Sequence, residues 1–197
     1  MKTIKMTILL SGLIGIMANA SVTTAAHVNL NKYLGKWYEV ASIPQYFQRQ
    51  CVGNTMAEYS LSKSGRIKVV NSCETAKGRR SAALGRAEIV DSTTNSKLKV
   101  TFVKIFGYWV FAFGGDYWIL DVAPDYSYAL IGDPTTSYAW LLSRTPKVSK
   151  SIYVYAEAKF RSEGYNTCKI LTSVQSGGIS ARIPLCKFVK TVNGAGS

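Results

Sequence analysis

Short segments whose side chains alternate between apolar and polar recur along most of this chain, and they constrain its fold more than any other feature. The clearest is 97–105, where Leu98, Val100 and Phe102 share one face and Lys97, Lys99 and Thr101 the other. A period of two residues is that of a half-buried β-strand. Segment 53–61 puts Thr55, Ala57, Tyr59 and Leu61 on one face, with Met56 and Glu58 opposite. Segment 66–73 sets Ile67 and Val69 against Lys68. Ser62-Lys63-Ser64-Gly65 joins these two as a tight hairpin turn, with Gly65 free to adopt positive φ. Further strands are expected over 36–43, 81–90, 116–122, 127–132 and 138–144. The connections include a loop at 44–52 with an apolar Tyr46-Phe47 tip, a basic loop at 74–80, and polar turns at 91–96 and 123–126. Many short strands separated by turn chemistry predict an all-β sandwich or barrel.

One helix follows the strands, over about 149–163. Ser149 is expected to cap it, Val148 to staple onto Tyr153, and Gly164 to end it. Ile152, Tyr155, Ala156 and Phe160 form an apolar stripe that must lie on another surface. A short turn or one-turn helix is expected at 29–33, and a last short strand at 169–175. Residues 1–20 read as a secretory signal peptide. Lys2 and Lys5 precede an apolar run at 8–17 that is too short to span a bilayer, and Ala18-Asn19-Ala20 is a small-x-small cleavage site. No Cys lies near the cut, so the expectation is export to the periplasm or beyond, without a lipid anchor. Losing two lysines takes the net charge from +13 to +11. The remaining residues suit one domain, 21–175, followed by a C-terminal extension, 176–197, to which no role is assigned.

The chain contains one histidine, His27, in the expected mature N-terminal tail. A Ser-His-Asp triad, a Cys-His pair, a His-based zinc site or a His-ligated haem would all have to use it. No metal and no cofactor are expected. Four cysteines in an exported chain read as two disulfides. Cys51 precedes one strand and Cys73 ends its hairpin partner, so antiparallel pairing brings them together. That favours Cys51–Cys73 with Cys168–Cys186. The basic balance would attract nucleic acid, but no reader with interleaved basic and aromatic residues is present, and none is expected as a partner.

Gly35-Lys36-Trp37-Tyr38-Glu39-Val40 places a Gly, one residue, then a Trp at the start of the first strand. Gly35 permits a sharp turn, and Trp37 is large and flat enough to plug one end of a small barrel. Together with Asp121 to Tyr126 and Leu142-Ser143-Arg144-Thr145-Pro146, this resembles the three motifs of the lipocalins. The resemblance covers roughly 30–175 and leans toward the bacterial outer-membrane-associated and apolipoprotein D-like members. It implies an eight-stranded antiparallel up-and-down β-barrel with one C-terminal helix packed on the outside. It also implies that Arg144 lies across Trp37 at a closed end, a cation–π pair of ~1–2 kcal/mol where desolvated. An apolipoprotein D-like pairing would instead join Cys51 to Cys186 and Cys73 to Cys168.

In that topology the loops 44–52, 74–81, 106–115 and 133–137 ring an open mouth. The matching aromatic positions of the family make Tyr59, Phe102 and Trp140 cavity residues, with Ala57, Gly85 and Ala87 leaving room. Residues 105–115 hold five aromatics and no charge. Tyr108, Trp109, Phe111 and Phe113 are expected to lid the cavity or dip into an anionic lipid surface, so Trp109 and Phe111 join the expected ligand-binding set. The implied function is to bind, and so store or carry, a small hydrophobic ligand, a fatty acid or a lysophospholipid. Arg49, Lys77, Arg79 and Arg80 would sit near its anionic head. The alternatives are a membrane-surface or structural envelope protein, or an enzyme with Cys73 as nucleophile.

Overall fold

Strands that follow one another in sequence also lie side by side in space. A computed structural model describes residues 21–62 and 66–193. The expected leader, hairpin residues 63–65 and residues 194–197 fall outside them. The strands are β1 (Gly35–Ser42), β2 (Cys51–Leu61), β3 (Ile67–Thr75), β4 (Arg80–Ile89) and β5 (Lys97–Thr101). A separate small hairpin follows, β6 (Lys104–Ile105) and β7 (Tyr108–Trp109). Then come β8 (Gly115–Val122), β9 (Tyr128–Gly132) and β10 (Ala139–Ser143). β10 pairs antiparallel with β1, so β1–β5 and β8–β10 close into the expected eight-stranded up-and-down barrel. β11 (Leu171–Thr172) adds beside the end of β1.

The core divides in two. Inside the barrel near its closed end, Trp37, Val69, Ile119, Ala129 and Ile131 pack with Val28 and Tyr33. Between the barrel wall and the C-terminal helices, Val40, Leu120, Leu130 and Leu141 meet Ala156, Phe160 and Leu185. The segment before α1 (Leu30–Tyr33) is tied to the barrel, since Ala25 N–H donates to Ile119 O at 2.9 Å and Val28 N–H to Thr94 O at 2.7 Å. His27 projects from that segment and is exposed.

Several expectations are corrected. The fifth strand stops at Thr101 instead of reaching 105. The Thr101 hydroxyl donates to Val110 O at 2.9 Å and accepts from Val103 N–H at 3.1 Å, which turns the chain off the sheet. Phe106 (φ 47°) and Gly107 (φ 89°) then make the turn of the β6–β7 hairpin. Leu61, expected inward, is 54% exposed at the end of its strand. In α2 (Lys150–Ser162) Tyr153 is buried and Tyr155 faces out, its hydroxyl donating to Asp121 Oδ2 at 2.6 Å. Ser149 occupies the N-cap position, yet its hydroxyl bonds Ser151 Oγ rather than a backbone N–H. Gly164, at φ 85°, ends the helix as expected, with Tyr165 N–H reaching back to Phe160 O at 3.0 Å.

A second helix after the barrel strands, α3 (Leu185–Asn193), lies in the extension, where none was expected. It buries Leu185 and Val189, and Phe188 meets Tyr153 edge-on with ring centroids 5.0 Å apart. The disulfides are Cys51–Cys73 and Cys168–Cys186; the second staples α3 to the turn after α2. They close loops with sequence separations of 22 and 18 residues, each of which stabilises by roughly 3 kcal/mol in the chain-entropy account.

Candidate ligand-binding site

At the closed end, Trp37 is fully buried and donates from Nε1 to Tyr33 O at 2.8 Å. The Arg144 guanidinium lies 3.7 Å from the Trp37 ring centroid. It also donates to Lys32 O (2.7 Å), Lys36 O (2.8 Å), Tyr33 O (3.3 Å) and Tyr126 O (3.3 Å). One side chain thereby gathers α1, the start of β1 and the β8–β9 turn. Gly35 has φ 96°, a backbone conformation that favours glycine, at the point where the chain turns into β1.

Above this plug the barrel holds a cavity of about 390 Å³, bordered by the 46–50 segment, the facing parts of β3 and β4 at Cys73 and Ser81, and the loop before β8 at Phe113. Its size is that of a small-molecule site. Met56, Ala57, Val69, Val100, Trp140 and Leu142 make apolar walls, and Tyr59 and Tyr117 form the floor. Tyr46, Phe47, Phe102 and Phe113 surround the rim. Tyr59, Phe102 and Trp140 therefore meet around one cavity. Phe102 sits at its edge, 41% exposed, with its ring over Gly85, where a Cβ would come within 2.8 Å of it. So the space left at Gly85 is filled by an aromatic ring.

The remaining expected residues lie elsewhere. Trp109 is outside the cavity, with Arg86 at 5.8 Å and Lys104 at 5.6 Å from its ring centroid. Phe111 does not line the cavity either. Both follow the early end of β5, where the chain leaves the sheet and forms the separate β6–β7 hairpin. Its most exposed large hydrophobic residues are Phe106 at 96% and Tyr108 at 78%. Arg49, Lys77, Arg79 and Arg80 are exposed, and no lysine or arginine among the described residues lines the cavity.

Three features were missed in the sequence. Glu39 is buried in the wall; its Oε1 accepts from Ser42 Oγ at 2.8 Å and Ser173 Oγ at 2.6 Å, and its Oε2 from Gln48 Nε2 at 3.0 Å. Gln48 thereby ties the mouth segment to the barrel. Asn71 faces the cavity with its Oδ1 buried and unpartnered. Tyr33, Tyr59 and Tyr117 meet at the floor, with Tyr117 Oη 2.6 Å from Tyr33 Oη and 2.9 Å from Tyr59 Oη. Burial pushes the Tyr59 hydroxyl up to about 12 and those of Tyr33 and Tyr117 well above their ordinary value, so all three stay protonated at neutral pH. Alternation from Trp37 and from Ile119 marks Glu39 and Tyr117 as inward, which was the available signal.

Among the described residues no three His, Cys, Asp or Glu side chains stand together to hold a metal. The Cys73 sulfur, considered as a nucleophile, is bonded to Cys51 and is not a free thiol.

A family model described as a lipocalin-like domain matches residues 28–175. This chain belongs to the lipocalin family. Temperature-induced lipocalin-1 of Arabidopsis thaliana is 39% identical over 151 residues, covering 76% of this lipocalin and 80% of that protein. The outer membrane lipoprotein Blc of Vibrio cholerae is 36% identical over 166 residues, covering 83% and 91%. Apolipoprotein D of Rattus norvegicus is 33% identical over 157 residues, covering 75% and 77%. Among solved structures, insecticyanin from Manduca sexta superimposes with a TM-score of 0.61 at 22% identity, covering 83% of this lipocalin and 93% of that chain. Members of the family bind small hydrophobic ligands, and the cavity here has the walls for one.

Proposed function

We propose that this lipocalin binds a long acyl chain, as a fatty acid or lysophospholipid, and stores or carries it in the cell envelope. The observation that carries this is the cavity of about 390 Å³ with aliphatic and aromatic walls and an open mouth. Burying ~14 methylenes would gain on the order of 11 kcal/mol at ~0.8 each. Association takes back several kcal/mol and leaves micromolar or tighter binding. With no cation in the walls, an anionic head group stays at the mouth, in the field of a strongly basic protein. Two disulfides suit an oxidising compartment, and one relative is named an outer membrane lipoprotein; both support export to the periplasm or beyond.

Native mass spectrometry of the gently purified protein is expected to show a lipid adduct, and calorimetry with tetradecanoate a dissociation constant in the micromolar range or below. Failure of any acyl ligand to bind would overturn the reading.

The exposed hairpin supports loading at a lipid surface. Phe106 and Tyr108 project from it, with Lys104 and Arg86 behind them on Trp109. Phe106→Ser with Tyr108→Ser is expected to weaken binding to phosphatidylglycerol vesicles by about tenfold or more. The melting temperature should barely move, because both side chains are already in water. Unchanged vesicle binding would remove the membrane step and leave the cavity reading intact.

A further inference from the structure

The phenol triad on the cavity floor has one more donor than it uses. Three hydroxyls bring three O–H groups, and two hydrogen bonds join them. Tyr59 donates to Tyr117. Between Tyr117 and Tyr33 either can donate, so one proton of that pair has no acceptor within the triad. On the far side lies a void of only about 10 Å³, walled by Leu30, Leu34, Ile67, Ala87, Leu98 and Val100, whose side chains are all hydrocarbon. It is barely large enough for one water and holds no second polar wall to bind it. On the near side, Tyr59 and Tyr117 face the open cavity.

We infer that the triad is a subsite for an uncharged oxygen, a hydroxyl or carbonyl, at the deep end of the ligand. Tyr117 turns its proton to that oxygen while Tyr33 donates to Tyr117. A ligand hydroxyl can in turn donate to the free lone pairs of Tyr59. A charged group is disfavoured there, since no Lys or Arg lines the cavity and Glu39 is its buried carboxylate. The ligand class is then a long-chain lipid oxygenated at the end remote from its head group. This rests on the acyl-binding reading above.

The test is calorimetry at pH 8 with tetradecanoate, 14-hydroxytetradecanoate and 2-hydroxytetradecanoate. The 14-hydroxy chain should bind the native protein about three- to tenfold more tightly than tetradecanoate, the range of one net hydrogen bond. The 2-hydroxy chain, whose hydroxyl stays at the mouth, should bind like tetradecanoate, and this comparison needs no variant. Tyr33→Phe leaves the Tyr117 proton free and should keep the preference. Tyr59→Phe with Tyr117→Phe, which removes both hydroxyls that face the cavity, should abolish or reverse it. Equal binding of tetradecanoate and its 14-hydroxy form, or a preference that survives in the folded double variant, would overturn the subsite alone. If none of the three chains binds, the acyl reading fails with it.

Discussion

Trp37→Ala is expected to destabilise the protein by about 3–5 kcal/mol, the range for truncating a fully buried aromatic. Trp37 has no exposed surface, packs obliquely on Tyr33 with centroids 5.0 Å apart, and has the Arg144 guanidinium 3.7 Å from its ring centroid. Alanine removes the ring that contacts both groups and leaves the Tyr33 carbonyl without the indole donor. Arg144 then keeps its backbone acceptors but loses its aromatic support. For a chain of this size the loss corresponds to a fall of roughly 10 °C in melting temperature. A thermal melt followed by circular dichroism reads it directly. A melt within a degree or two of the native protein would show that Trp37 is not the plug of the closed end.

Phe160→Ala should cost a similar amount, about 3–5 kcal/mol, but in the other half of the core. Phe160 is fully buried between α2 and the outer barrel wall, edge-on to Tyr165 with centroids 5.4 Å apart. The cavity lies on the opposite side of that wall. The expected result is therefore split. Amide exchange in α2 and α3 should accelerate strongly, while affinity for tetradecanoate changes by no more than about threefold. Trp37→Ala, by contrast, weakens the floor beneath the cavity and should lower affinity as well. Loss of ligand binding in Phe160→Ala, in protein that is still folded, would mean that helix docking shapes the cavity.

The two variants also separate what is written locally in the chain from what is not. Period-two alternation is a property of a few consecutive residues, so the inward placement of Ala57, Tyr59, Val100 and Trp140 is legible in the sequence alone. The hairpin disulfide is legible for the same reason, because a single β2–β3 connection brings Cys51 and Cys73 close, with their Cα atoms 5.5 Å apart. The end of β5 is not. A strand ends where the chain finds other partners: the Thr101 hydroxyl donates to Val110 O, nine residues on in a segment that also reads as apolar and extended, and Val110 N–H donates to Val103 O. Trp109 and Phe111 lie outside the cavity as a consequence. Helix α2 shows a finer limit. Tyr153 and Tyr155 are both aromatic within the same turn, and only the position of Asp121 on the barrel decides which of them keeps a wet hydroxyl.

The sequence by itself determined the strands, the Cys51–Cys73 hairpin and the presence of α2, because each rests on local periodicity. The strand order and the closed-end pairing of Trp37 with Arg144 followed from the resemblance of its three short motifs to the lipocalins. Tertiary structure alone decided the cavity's chemistry. Tyr33, Tyr59 and Tyr117 come from α1, β2 and β8, and their hydroxyls meet only once β10 has closed onto β1. Glu39 gains Ser173 from 134 residues away, and the basic loops turn out to leave the walls free of cations. The extension after 175 became a packed helix for the same reason. Leu185 is one apolar residue among many in the sequence, and it is buried because the outer wall of the barrel and α2 leave a groove that it fills.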